Sequence, residues 1–250
     1  MQQCPRRAQC PYAQIFKPVN LQNPSGFINA PRPFVFRTCH LDGKALQAGA
    51  DFYVDIHLFT RMHNIADHFR AVFTKFETAG FGSSRHRAVL RSAEERTAAP
   101  LSFDAVQPGV TSLEVQFRSP TELKYRGALA QEPHFPALWN NACDRLNALS
   151  MLYGPQPINI DFVRLRDLAQ HIRLTHCKIH HLKKSRRSSR TGQVHPLGGF
   201  VGSVRYEGDI DPFLPYLQAA QWTGVGRHTV WGKGEIALTI SPAPQQTASS

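Results

Sequence analysis

Residues 211–240 read DPFLPYLQAAQWTGVGRHTVWGKGEIALTI. The segment opens as a short helix, with Asp211 as a natural N-cap before Pro212. It closes as a strand, EIALTI (Glu235–Ile240). Between them lies a loop in which Gly224, Gly226, Gly232 and Gly234 surround Arg227, His228, Trp231 and Lys233. Glycine-rich loops often hold phosphate, because their amides can approach it closely. A dinucleotide fingerprint, however, sets its glycines after a strand and at the opening of a helix. Here they follow a helix and open a strand. A Walker loop needs Gly-Lys-Ser/Thr, whereas this one reads Gly232-Lys233-Gly234. Both nucleotide readings fail, and no cofactor is expected. What remains is a backbone-exposing loop suited to an extended phosphate chain. Gly224 and Gly226 would admit the chain, Arg227, His228 and Lys233 would contact it, and Trp231 would either stack on a base or fill the core.

Upstream, SLEVQFRSP alternates Leu113, Val115 and Phe117 as a strand. A helix is predicted from about Phe135 to Leu152, closed by Gly154-Pro155. LAQHIRLTHCKIHHL and GGFVGSVRYEG read as two more strands. The order is then β-α-β-β-α-β, the ferredoxin-like arrangement, with the glycine loop before its last strand. The first half resembles an incomplete copy. PRPFVFRTC and DFYVDIHLFT are strand-like, Ile65, Phe69, Val72, Phe73 and Phe76 have helical spacing, and Ala88–Leu90 suggests a further short strand. The expected class is α+β: two tandem ferredoxin-like domains of the RAMP/RRM type, the first truncated or atypical at its N-terminus. The expected division is an N-terminal domain at 1–100, a linker at 101–110, a C-terminal domain at 111–242 and a tail at 243–250.

The chain has 250 residues and a formal charge of +11, from 29 Lys+Arg against 18 Asp+Glu. Such an excess points to a polyanion, since each cation placed on a phosphate releases condensed counterions. Its distribution agrees. Lys178, Lys183, Lys184, Arg186, Arg187 and Arg190 form an unopposed basic stretch. Like charges in contact repel by about 1 kcal/mol in water, which a nucleic-acid partner would relieve. Arg85 and Arg87, in the turn SSRHR, make a second patch, and Arg32 and Arg37 flank FVF.

No apolar run reaches the ~20 residues that span a bilayer, and the first ten residues lack an apolar leader core. A cytoplasmic protein is the expectation. Five widely spread cysteines argue against a disulfide framework. Cys4 and Cys10 have no second close pair to complete a zinc site, so no metal is expected. The acidic residues form no cluster for two-metal nuclease chemistry. Cleavage of RNA would then use the ribose 2′-hydroxyl as its own tethered nucleophile, leaving a 2′,3′-cyclic phosphate. The protein would enforce in-line geometry, stabilise the phosphorane with cations and move protons.

Residues 187–235, together with CPYAQIF, APRPFVFR, GFGSSRHR and FRSPTELKYRG, resemble the CRISPR repeat-specific endoribonucleases of the RAMP superfamily. Residues 178–190 are further similar to the version associated with type IV systems. The resemblance implies binding of a repeat stem-loop and metal-independent cutting at the 3′ base of the stem. It also implies retention of the product within an effector complex with other CRISPR proteins. Tyr12 and Arg32 fall at positions similar to the family's tyrosine and lysine. The family's histidine usually lies between these two segments, but Ala13–Pro33 contains none. The expected site is therefore dominated by Arg32 or Arg37, helped by Tyr12 or the glycine loop, with His40 or His63 entering from the side. The alternative is a RAMP-type subunit that holds guide RNA without cutting it.

Overall fold

The computed structural model describes residues 10–18, 30–60, 64–82, 84–98, 103, 109–183, 185–187, 192 and 194–242. Most of the expected linker, the tail 243–250, Cys4, His63, Lys184 and Arg190 lie outside the described residues.

The second half is an antiparallel sheet of four strands: β3 (Val110–Thr121), β6 (Arg173–Leu182), β9 (Gly199–Glu207) and β10 (Ile236–Pro242), ordered β10-β3-β9-β6. Helices α4 (Phe135–Tyr153) and α6 (Leu214–Thr223) join them in ferredoxin-like order. Period-two alternation turns Leu113, Val115 and Phe117 of β3, and Val204 and Tyr206 of β9, into one core. On α4, Leu138, Ala142 and Leu146 face that core at helical spacing, with Phe135, Trp139 and Phe213 closing it edge-to-face.

Two details depart from expectation. Residues 162–169 form a helix, α5 (Phe162–Ala169), whose first turn is capped by the Asp161 carboxylate, which accepts from Arg164 N–H at 3.1 Å. Asp211, expected to cap the following helix, instead accepts from the amides of Gly109 and Val110, both at 2.7 Å. It ties the entry of β3 to the segment that leaves β9 at the same end of the sheet.

The first half is slighter. α1 (Pro11–Phe16) packs beside the two-stranded ribbon of β1 (Phe34–Arg37) and β2 (Asp55–Leu58). α2 (Ile65–Thr74) and α3 (Phe76–Ala79) follow and end at Gly80, whose φ is +67°. The strand expected at Ala88–Leu90 does not form; residues 87–98 have no regular structure. A ribbon needs alternating faces on both strands, and here only Phe81 and His86 bridge. The domain is thus atypical, as its composition implied. Its core is the small cluster of Ile15, Phe34, Ile65 and Phe69, onto which Val230 of the glycine loop packs. Elsewhere β4 (Lys124–Tyr125) and β5 (Ala128–Leu129) form one hairpin, and β7 (Ser185–Arg187) and β8 (Val194–Pro196) another.

Candidate functional site

The glycine loop is not the bare amide cradle its composition suggested. The amides of Gly224, Val225, Arg227, Trp231, Gly232 and Gly234 all donate to carbonyls of the protein. Val225 N–H and Gly234 O close the loop at 2.9 Å, while Arg227 N–H and Gly234 N–H fasten it to Glu122 O and Pro120 O. Its glycines permit close approach. A Cβ on Gly226 would lie 2.2 Å from Glu122 O, and one on Gly234 1.9 Å from Val225 O. Lys233, expected on a phosphate, is only 3% exposed and sits 3.0 Å from the Glu122 carboxylate. Burial lowers its pKa, and the ion pair opposes that. Lys233 is therefore an internal strut. Arg227 stays at the surface, 3.9 Å from the same carboxylate. His228 stacks flat on Trp231 at 4.8 Å, and Trp231 is partly exposed.

The loop braces the end of α6 against β1, and a cleft of about 400 Å³ opens there. Arg37, Asp55 and His57 line it from the β1–β2 ribbon; Arg118, Trp222 and Glu235 line it from the second half. The ribbon pairs Arg37 with Asp55 and Val35 with His57, so both basic groups project from the same face.

The last carbonyls of a helix have no partner within it and carry partial negative charge. Three basic side chains satisfy those of α6. Arg37 Nη2 donates to Gln221 O and to Trp222 O, each at 2.8 Å. Arg145 Nε donates to Thr223 O at 2.8 Å. His57 Nδ1 lies 3.0 Å from Trp222 O. A carbonyl only accepts, so this bond assigns the proton to Nδ1 and leaves the Nε2 lone pair available. Burial, and then the charge of Arg37, lower the His57 pKa, with the Trp222 carbonyl acting the other way. The imidazole is therefore neutral and basic near pH 7.

Two buried polar atoms of the lining residues have no partner: Arg37 Nη1 and Glu235 Oε2. Such atoms cost free energy unless a ligand or water meets them. Cys39 adjoins Glu235, and burial followed by that carboxylate pushes its thiol up to about 11. Arg145 is buried; burial and the neighbouring Arg37 bring its pKa down to about 9.

The expected catalytic set is split. Arg37 is in the cleft. Arg32 lies before β1, its Nε donating to Phe16 O at 2.8 Å. Tyr12, 54% exposed on α1, contacts Phe16 and Lys17. Neither Tyr12 nor Arg32 lines the cleft. His40 stacks on Tyr53 at 4.0 Å, also away from it. His57 was missed. The signal was a histidine on the polar face of DFYVDIHLFT, but the partner that gives it meaning is 165 residues away.

Of the expected RNA contacts, Arg85 and Arg87 are exposed in the turn after α3, Arg85 with φ +50°. Lys178 is exposed on the edge strand β6, and Lys183 just beyond it. Arg186 and Arg187 fall on β7 of the short hairpin, paired with His195 and Val194. Among the described residues, no group of three or more His, Cys, Asp or Glu side chains could hold a metal ion. No described helix is long and apolar enough to cross a membrane.

No curated protein matches the sequence. Residues 1–111 match a family model described as an N-terminal domain, and residues 115–236 match that of the CRISPR-associated endoribonuclease Cas6. Among solved structures, a Cas6 product complex is similar at 19% identity and TM-score 0.50, covering 84% of this chain and 83% of that one. The product complex of a Thermus thermophilus Cas6 is similar at 16% identity and TM-score 0.52, covering 83% and 82%. Another structure of the Thermus protein aligns over 55% of its own length, at TM-score 0.42. The two product complexes align over both halves of the fold, and the family match falls on the four-stranded sheet and its glycine loop. Over residues 115–236, just under half of the chain, the sequence is thus similar to the CRISPR-associated endoribonuclease Cas6 family.

Proposed function

We propose that the protein is a metal-independent, repeat-specific endoribonuclease that binds the stem-loop of precursor CRISPR RNA and cuts at the 3′ base of the stem. The observation that carries this reading is the cleft that sets the unpartnered Nη1 of Arg37 and the basic ring of His57 beside Arg118. His57 Nε2 takes the proton of the ribose 2′-hydroxyl as that oxygen attacks the adjacent phosphorus. Arg37 Nη1 donates to the non-bridging oxygen on which charge accumulates. In-line attack puts the leaving 5′-oxygen on the opposite side, so it takes its proton from solvent while Arg118 offsets its charge. The P–O5′ bond breaks, leaving a 2′,3′-cyclic phosphate and a 5′-hydroxyl. The stem would lie over Arg85, Arg87, Lys178, Lys183, Arg186, Arg187, Arg227 and Trp231, as phosphate and base contacts. Lys233 is excluded from that surface by its burial. Two of the similar Cas6 structures are product complexes, which supports retention of the cut RNA. The chain is then a subunit delivered with its guide to other CRISPR proteins.

A second reading also has an observation behind it. The two carbonyl bonds of Arg37 suffice to cap α6, so the cleft could be structural and the protein a guide-RNA holder. A labelled repeat hairpin incubated with protein in EDTA separates the two. Cleavage with cyclic-phosphate ends is expected for the wild type. His57→Gln and Arg37→Lys should lose about 10²-fold or more in single-turnover rate. Affinity for a 2′-deoxy hairpin should change far less. Wild-type rates in both variants, or no cleavage at all, would overturn the enzymatic reading.

A further inference from the structure

The chain has three tryptophans, and their surroundings differ. Trp139 is buried between Phe213 and Tyr216. Trp231 has one face covered by His228. Trp222 is 43% exposed, yet it lines the cleft and stands in the last turn of α6. Leaving that much indole in water forfeits burial free energy, so an exposed tryptophan beside cationic groups calls for a ligand. Its position is tightly held. Its carbonyl accepts from both Arg37 and His57, and its ring rests against the His57 ring at 5.0 Å and 47°. A tilted contact of this kind leaves ring surface uncovered. Indole faces stack on any nucleobase, which suits a platform at a cleavage point.

We propose that Trp222 is the stacking platform for the base of the nucleotide that supplies the attacking 2′-hydroxyl. This rests on the cleavage reading given above. The carbonyl of Trp222 holds Arg37 and His57, so platform, proton acceptor and phosphate ligand form one rigid unit. Stacking the base fixes the ribose, and the ribose carries the hydroxyl toward His57 Nε2. Trp222 is thus a positioning residue: it orients the nucleotide and moves no proton.

The test uses the full chain and repeat hairpins with 2-aminopurine at the nucleotide 5′ of the mapped cut, or scanned along the 3′ flank if no cut is found. A 2′-deoxy version reads stacking without cleavage. Wild type should quench 2-aminopurine fluorescence; Trp222→Leu should not. Trp222→Leu should also slow single-turnover cleavage about 10- to 100-fold, as loss of one base–aromatic stack does. Trp222→Phe should recover most of that rate. An abasic nucleotide at the same position should slow the wild type comparably and Trp222→Leu hardly further, because both changes remove the same contact. Additive losses, or quenching that survives Trp222→Leu, overturn the proposal. Arg37→Lys is run in parallel: a full rate there overturns the cleavage reading itself, whereas a slow Arg37→Lys with additive tryptophan and abasic losses overturns only the platform.

Discussion

The two halves of the molecule solve the packing problem differently. The second half buries a continuous core between a four-stranded sheet and two helices, filled by Leu113, Val115, Phe117, Leu138, Trp139, Val204 and Tyr206. The first half has a two-stranded ribbon, which is marginal by itself in water, and among the described residues only Ile15, Phe34, Ile65 and Phe69 lie fully inside its cluster. It is completed from the other half: Val230 enters the cluster, Tyr153 Oη donates to Pro31 O at 2.8 Å, and Arg37 and His57 bind the end of α6. The difference teaches that the weaker half supplies the chemistry and the stronger half supplies the geometry. A ribbon without a large core of its own can still present Arg37 and His57 accurately when both are clamped to the end of a helix.

This contrast can be broken at its joint. Glu122→Gln leaves Lys233 buried without its carboxylate, and loss of one partner of a buried pair costs about 3–5 kcal/mol. The expected outcome is a large drop in Tm together with loss of cleavage, since the glycine loop carries Val230 into the first half. An unchanged Tm would show that the loop does not rest on this pair. Phe69→Ala tests the weaker half directly. Truncating this buried ring, which meets Phe34 and Phe36 edge-on and Phe16 at a tilt, should cost about 3 kcal/mol. Hydrogen exchange should rise across 34–37 and 55–74 while β3, β9 and α4 keep their protection. Equal loss of protection in both halves would mean that they fold as one unit. The mildest perturbation is pH. His57 must be neutral to accept a proton, and burial and Arg37 lower its pKa. The cleavage rate should be flat above the ordinary histidine value of about 6.5 and fall tenfold per pH unit only well below it. A midpoint above 6.5, or a profile in His57→Gln identical to wild type, would remove His57 from the proton path.

Much of the second half was legible in advance. Leu113, Val115 and Phe117 alternate, and Leu138, Ala142 and Leu146 recur at helical spacing, because burial on one side imposes those periods. α5 escaped because eight residues make barely two turns, too few for the spacing of Phe162, Leu165 and Ala169 to stand out as a period, although Asp161 marked its start. Asp211 looked like a helix cap because the residue type fits, but its carboxylate found two amides about a hundred positions earlier. In the first half, DFYVDIHLFT reads as ten residues of strand, yet only Asp55–Leu58 pair, because β1 offers just four residues to pair with.

By itself, then, the sequence determined the ferredoxin-like order of residues 111–242, the excess positive charge and the failure of both nucleotide-loop readings, since these depend on local period, composition and spacing. Only the tertiary structure decided which basic groups share a cleft. It brought Arg37 and His57 to the carbonyls of Gln221 and Trp222, left Arg32 and Tyr12 elsewhere, and turned Lys233 inward. The physical reason is that a guanidinium or an imidazole shows nothing of its partner in the chain around it. The carbonyls at the end of α6 needed donors, and the fold brought them from some 165 to 185 residues away.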